Sequence, residues 1–368
     1  YEVFRKEIGS TSTQELYKFF DREGNILALR PDITPSVARA AATLFESEDM
    51  PIRLCYAGNT FINHSSYQGR LKENTQLGAE LIGLDSVEAD AEMLAMVADS
   101  LKQIGLQEFQ ISLGHVDFIR SLLKAAGLGE EESREIRALI TNRNFFGIEE
   151  ILDAHKVKES VREASRLLPE LTGGPEVLEQ AMGAAQDLDA RLAVTRLQQI
   201  FRLLKIYGAD DHITFDLSMI GNYGYYTGII FRTYTFGTGD AVVRGGRYDH
   251  LLEKFGKDTP SIGFAILLDE LMGALGRQKI PVETIHRNLI VYTEATEEQA
   301  VALACSFRKK GRNIELVKRE PEEEREIYED YAKRTSAAAM LYLRDDQKIE
   351  MVNLRTGDEK LVNIPGVD

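Results

Sequence analysis

Cysteine is nearly absent: the 368 residues hold two, Cys55 and Cys305. No disulfide framework can be built from them, which suits a reducing cytoplasm, and a cytoplasmic location is expected. The six histidines are scattered, with no His-x₃-His or Cys-x₂-Cys spacing, so neither a structural nor a catalytic zinc is expected. No stretch reaches 18 consecutive apolar residues, which argues against a transmembrane helix or a membrane partner. The chain opens on no secretory signal pattern. Basic residues are the minority, 44 against 59 acidic, for a net charge of −15. Proteins that grip nucleic acid do so through Lys and Arg on phosphates, so this balance speaks against a tRNA partner. What remains is the composition of a soluble globular protein, 43% apolar and 28% charged, long enough for two or three domains.

Along the chain, "GNILALR", "PIRLCYAGNTF", "NTQLGAELIGL" and "EFQISLGH" read as strands. Pro35–Leu44 and "SVEADAEMLAMVADSLKQ" read as helices. The second has Met93, Val97, Leu101 and Ile104 at helical spacing, Ser86 as its cap and Gly105 as its stop. From about 116 to 205 the chain turns rich in Glu, Lys, Arg, Leu and Ala with helical periodicity, which reads as a helical insertion. "HITFDLSMI" and "TGIIFRTYTF" follow as β-rich runs joined by "GNYGYY", a hairpin or bulged connection. "DAVVRGGRYDHLLEKFG" reads as strand, Gly-Gly turn and helix. A boundary at Pro281 separates a core over 1–280 from a compact α/β unit over 281–368, whose strand–helix alternation implies a mostly parallel sheet with one antiparallel edge.

Three stretches place polar groups where chemistry could use them. In "RPDITPSVAR", Pro31 and Pro35 stiffen the backbone around Asp32 and Thr34. A carboxylate beside a hydroxyl suits an ammonium group. The plain alternative is a helix start, with Thr34 as N-cap and a solvated Asp32. In "QLGAELIG", Gln76 and Glu80 are four apart on a strand and share a face. In "NYGYYTG", tyrosines among glycines offer aromatic walls with hydroxyl tips, or merely core packing. "RGGRYD" could cradle a phosphate, although two glycines are weak support.

In this order, "RPDIT", "QGR…QLGAELIG", "YGYYTGIIF" and "GGRYDHLLEKFG…TPSIGFA" resemble the histidyl-tRNA synthetase family over nearly the whole chain. The resemblance implies an α+β fold: a class II synthetase antiparallel sheet flanked by helices, a helical insertion, and a C-terminal anticodon-binding-like α/β domain. It implies that Asp32 and Thr34 hold the α-amino group of histidine, that Gln76 and Glu80 contact its amino group and imidazole, and that Tyr225 and Tyr226 line the imidazole pocket. Arg70 matches an arginine near the substrate carboxylate.

The resemblance breaks at the nucleotide. Where the family places phosphate-handling arginines, this chain has Ile62, Gly221 and Glu270, and Leu267 stands where a glycine gives adenine room. One transition-state donor of this kind is worth about 2.7–4 kcal/mol, so adenylation is not expected. These losses, with "ALRPDITPSVAR" and "RLCYAGNTF", resemble the non-catalytic branch of the family, the regulatory subunits of short-form ATP phosphoribosyltransferase. That resemblance implies a separate short catalytic subunit as partner, in the first step of histidine biosynthesis, and L-histidine as feedback effector. It implies a homodimer within a hetero-oligomer, no cofactor and no catalytic residues of its own. The alternatives are a standalone amino-acid sensor with the same pocket, and an active histidine–tRNA ligase, which would need the missing arginines.

Overall fold

The computed structural model describes residues 1–4, 13–45, 50–64, 71–221, 224–282, 287–320 and 322–363. It divides into two compact units, Tyr1–Pro281 and Val282–Asp368.

The first unit opens with a two-stranded ribbon, β1 (Lys18–Phe20) and β2 (Ile26–Ala28), and helix α1 (Thr34–Leu44). Strands β3 (Ile52–Phe61) and β4 (Glu73–Ile82) follow, then α2 (Val87–Gln103) and β5 (Phe109–His115). Ser86 caps α2 by accepting from Ala89 N. Met93, Val97 and Leu101 of α2 are buried, but Ile104 is exposed, because it lies at the C-cap beyond the last buried turn.

Helices α3 (Val116–Ala126), α4 (Glu130–Thr141), α5 (Phe145–Ala154), α6 (Glu159–Leu167), α7 (Val177–Ala184) and α8 (Leu188–Tyr207) come next, with the two-residue β6 (Thr172–Gly173) among them. The unit ends with β7 (Ile213–Asp216), β8 (Ile229–Thr235), β9 (Val243–Arg247), β10 (Ser261–Leu267) and α9 (Leu268–Arg277). Among the described residues the main sheet runs β3-β4-β10-β9-β8-β5-β7-β6, antiparallel except for β5 and β7.

That parallel pair corrects the hairpin expected at "GNYGYY". Strands β7 and β8 are not neighbours; β5 lies between them. Parallel strands need a long crossover, and helices α3 to α8 provide it between β5 and β7. The Gly-Gly turn is corrected too. Gly245 and Gly246 lie inside β9, where a Cβ on Gly245 would sit 2.3 Å from the Phe231 ring. Closely packed aromatic rings, not a turn, call for glycine there.

A buried ion network ties α2 and α8 to β9. Asp90, fully buried, accepts from Arg247 Nη2 at 2.6 Å and from Arg196 Nε at 2.6 Å. Arg247 also reaches Asp249 Oδ1 at 2.9 Å, and Asp249 Oδ2 accepts from Thr227 beside the tyrosine pair at 2.8 Å.

In the second unit, β12 (Asn313–Lys318), β11 (Arg287–Tyr292) and β13 (Ala339–Leu343) are parallel, and β14 (Lys348–Asn353) and β15 (Glu359–Asn363) extend the sheet antiparallel. Successive residues serve opposite faces. Leu289, Val291 and Met340 pack with Tyr328 and Ala332 of α11 (Arg325–Arg334). Ile290, Leu341 and Leu343 pack with Ala300 and Ala304 of α10 (Glu297–Lys309).

Candidate functional site

A cavity of ≈ 360 Å³ opens on one face of the main sheet, and six of the predicted site residues line it: Asp32, Thr34, Gln76, Glu80, Tyr225 and Tyr226. Arg70 lies outside the described residues.

The entry to α1 supplies the first pair. Asp32 is only 4% exposed, so it is not the solvated capping residue of the plain reading. Its Oδ1 accepts from Thr34 N at 3.2 Å and its Oδ2 from the Tyr225 hydroxyl at 2.8 Å. Thr34 is not the N-cap either; Ile33 holds that position without a side-chain bond. The Thr34 hydroxyl instead donates to Glu80 Oε1 at 2.9 Å, because a buried carboxylate from β4 outcompetes a local backbone partner.

Glu80 is the centre of the polar cluster. Its second oxygen, Oε2, accepts from the Tyr248 hydroxyl at 2.5 Å. Burial pushes its carboxyl up to about 8, the Asp32 charge adds to the rise, and the hydroxyls of Tyr248 and Thr34 oppose it. Burial, then the charge of Glu80, likewise raises the Tyr248 phenol well above its ordinary value. Glycine makes this packing possible: a Cβ on Gly263 of β10 would lie 1.5 Å from Glu80 Oε2, and one on Gly246 would lie 2.7 Å from the Tyr226 ring.

The aromatic wall is built edge to face. Tyr225 meets Tyr226 at 5.1 Å between ring centres and Tyr248 at 5.9 Å. Gln76, 7% exposed, has its Oε1 buried without a partner among the described residues. A buried amide oxygen left open costs stability unless something fills it, so it points to a polar ligand. Sequence reasoning missed Tyr248 and Arg244 as lining residues. Both lay in the quoted "VVRGGRYD", whose interpretation as a phosphate turn hid that Arg244 is on strand β9 and Tyr248 directly follows it.

A second, larger cavity of ≈ 1070 Å³ shares Gln76, Arg244 and Leu267 with the first. Ile62, His64, Asn74, Asp240 and Glu270 also line it. Thus Ile62, Leu267 and Glu270, three of the positions where the resemblance implies a nucleotide-handling group, line one space. Gly221 lies in a third hollow beside Tyr226 and Arg244. Elsewhere, His250, Glu253 and Asp258 bring ligand atoms within 4.8 Å of one another, but all are exposed, and such groups are common without a metal. Among the described residues no helix is long and apolar enough to cross a membrane.

The histidyl-tRNA synthetase family model matches residues 1–271. An ATP phosphoribosyltransferase regulatory subunit from Acetivibrio thermocellus is 36% identical over 99% of this chain and 87% of its own length. One from Caldanaerobacter subterraneus is 38% identical over 82% of this chain and 79% of its own. A crystal structure from Bacillus halodurans, described as an ATP phosphoribosyltransferase regulatory subunit/histidyl-tRNA synthetase, superposes with a TM-score of 0.77 at 29% identity, covering 91% of this chain and 84% of that one. Histidyl-tRNA synthetase from Nostoc superposes with a TM-score of 0.79 at 18% identity, covering 98% and 86%, which shows the shared fold. The chain belongs to the histidyl-tRNA synthetase family and, within it, to the ATP phosphoribosyltransferase regulatory subunits.

Proposed function

We propose that this regulatory subunit binds free L-histidine in the Asp32–Glu80 cavity and transmits its occupancy to a separate catalytic chain, without activating the amino acid itself. The buried cluster of Asp32, Thr34, Glu80, Tyr225 and Tyr248, with the open Gln76 oxygen beside it, carries the reading. Acidic and hydroxyl groups suit an ammonium, and tyrosine faces suit a flat polar ring. The adjoining cavity supports the second half of the proposal. Adenylation needs cations where charge develops on phosphate, whereas Glu270 brings a carboxylate and Ile62 and Leu267 bring apolar bulk.

In this reading the catalytic chain is of the short type and condenses ATP with phosphoribosyl pyrophosphate. The subunit enables that activity and lowers it when histidine is bound. It acts as a homodimer within a hetero-oligomer, closed symmetric assemblies being the commonest solution. The test is phosphoribosyltransferase activity of the short catalytic chain with and without this protein, titrated with histidine. Activity should depend on the subunit and fall with histidine. Equal activity without the subunit, or indifference to histidine, would contradict the proposal.

A further inference from the structure

Asp32 and Glu80 both line the amino-acid cavity, and Arg244 is the only cation among the described residues that do. Arg244 lies on β9 and also lines both neighbouring hollows, so it sits where the three spaces meet. Its Nη2 pairs with Asp240 Oδ2 at 2.5 Å, and its side chain is 26% exposed. Directly across from it on β8 is Arg232. Opposed residues of antiparallel strands project from the same face, and both arginines line the third hollow, while Arg244 alone of the two lines the amino-acid cavity. Arg232 donates to the Ile220 carbonyl at 3.1 Å.

Arg244 already faces one carboxylate, that of Asp240, so an arriving carboxylate shares the guanidinium with it or displaces it. A zwitterionic amino acid carries both signs on one carbon. With its ammonium at Asp32, its carboxylate calls for a cation elsewhere on the lining. A guanidinium is the side chain best shaped to take a carboxylate through two parallel hydrogen bonds. Ile62 and Gly221, at positions where the family resemblance implies arginines, offer no such group, and Arg70, which the resemblance sets near the carboxylate, lies outside the described residues.

We propose that Arg244, supported by Arg232, receives the α-carboxylate of the bound amino acid and so makes the cavity selective for amino acids over analogues that lack the carboxylate. The inference rests on the histidine reading of the cavity, and its test separates the two.

The full chain is titrated calorimetrically with L-histidine and with L-histidinol, in which a hydroxymethyl group replaces the carboxylate. The wild type should prefer histidine by about ten- to a hundredfold, the worth of a charge-assisted pair. Arg244→Met should bring histidine down to the level of histidinol while histidinol binding stays within about twofold. Arg244→Lys, which keeps the charge but not the fork, should fall between. Arg244→Gln replaces the Met variant if that one melts, with the same loss of preference expected. If Arg244→Met keeps the full preference for histidine, the carboxylate role is wrong and the histidine reading stands. If the wild type binds neither ligand, both fall. Loss of both ligands by a folded Arg244→Met variant would make Arg244 a shaper of the cavity, which also overturns the inference.

Discussion

Two cavities on one sheet face share Gln76, Arg244 and Leu267, yet they are built differently. In the smaller, the carboxylates of Asp32 and Glu80 are buried and met by hydroxyls from Thr34, Tyr225 and Tyr248. The larger gathers Ile62 and Glu270, at positions where the resemblance implies phosphate-handling arginines, and Leu267, where it implies a glycine that gives adenine room. On the proposed reading, recognising an amino acid and activating it are separable. The first uses a buried cluster of acids and hydroxyls, while the second needs an array of cations that can be lost without disturbing the cluster.

The largest expected effect strikes both cavities together. Asp90→Ala takes from Arg247, which is 1% exposed, the buried carboxylate that meets its Nε and Nη2, leaving it Asp249 and the Leu84 carbonyl, and removes the buried charge that faces Arg196. Breaking a buried ion pair from one side costs about 3–5 kcal/mol, so thermal melting should shift strongly downward. A melting curve like that of the wild type would show that the network holds nothing.

Asp32→Asn is aimed at the smaller cavity alone. It keeps the shape but removes the charge facing an ammonium, worth about 1.5–3 kcal/mol. Histidine affinity should drop about ten- to a hundredfold, and the holoenzyme should stay active while resisting histidine. Unchanged inhibition would remove Asp32 from the site.

A smaller effect follows from Glu80, whose carboxyl is raised by burial from 4.5 to about 8. Between those values the folded chain holds a proton that the unfolded chain has released. This contribution to stability is full below the lower value and is lost as pH rises through about 8. Between about pH 5 and pH 8 the wild type should therefore lose stability relative to Glu80→Gln. Parallel pH profiles would show that Glu80 is already ionised in the folded chain.

The smallest effect belongs to the larger cavity. Glu270→Arg should leave histidine affinity within about twofold and should not create adenylation, since one cation supplies only part of what phosphate transfer requires. A large change in histidine binding would mean that the two cavities are not separable.

The strand and helix alternation was legible in the sequence because periodicity reports which face a residue buries. Sheet order was not: "GNYGYY" looked like a hairpin, since nothing local reveals that β5 comes to lie between β7 and β8. Asp32, Thr34, Gln76, Glu80, Tyr225 and Tyr226 could be gathered from their motifs, and the structure places them round one cavity. Thr34 was misread as a cap because its partner, Glu80, is 46 residues away. Tyr248 was overlooked beside Gly245 and Gly246, whose true role is to clear space for rings across β9.

The separation of recognition from activation is tested most directly by calorimetric titration of the full chain with L-histidine, with and without magnesium ATP, with released pyrophosphate measured in the same cell. The account expects saturable histidine binding of the same affinity in both, and no pyrophosphate. Histidine-dependent release of pyrophosphate, or no histidine binding at all, would contradict it.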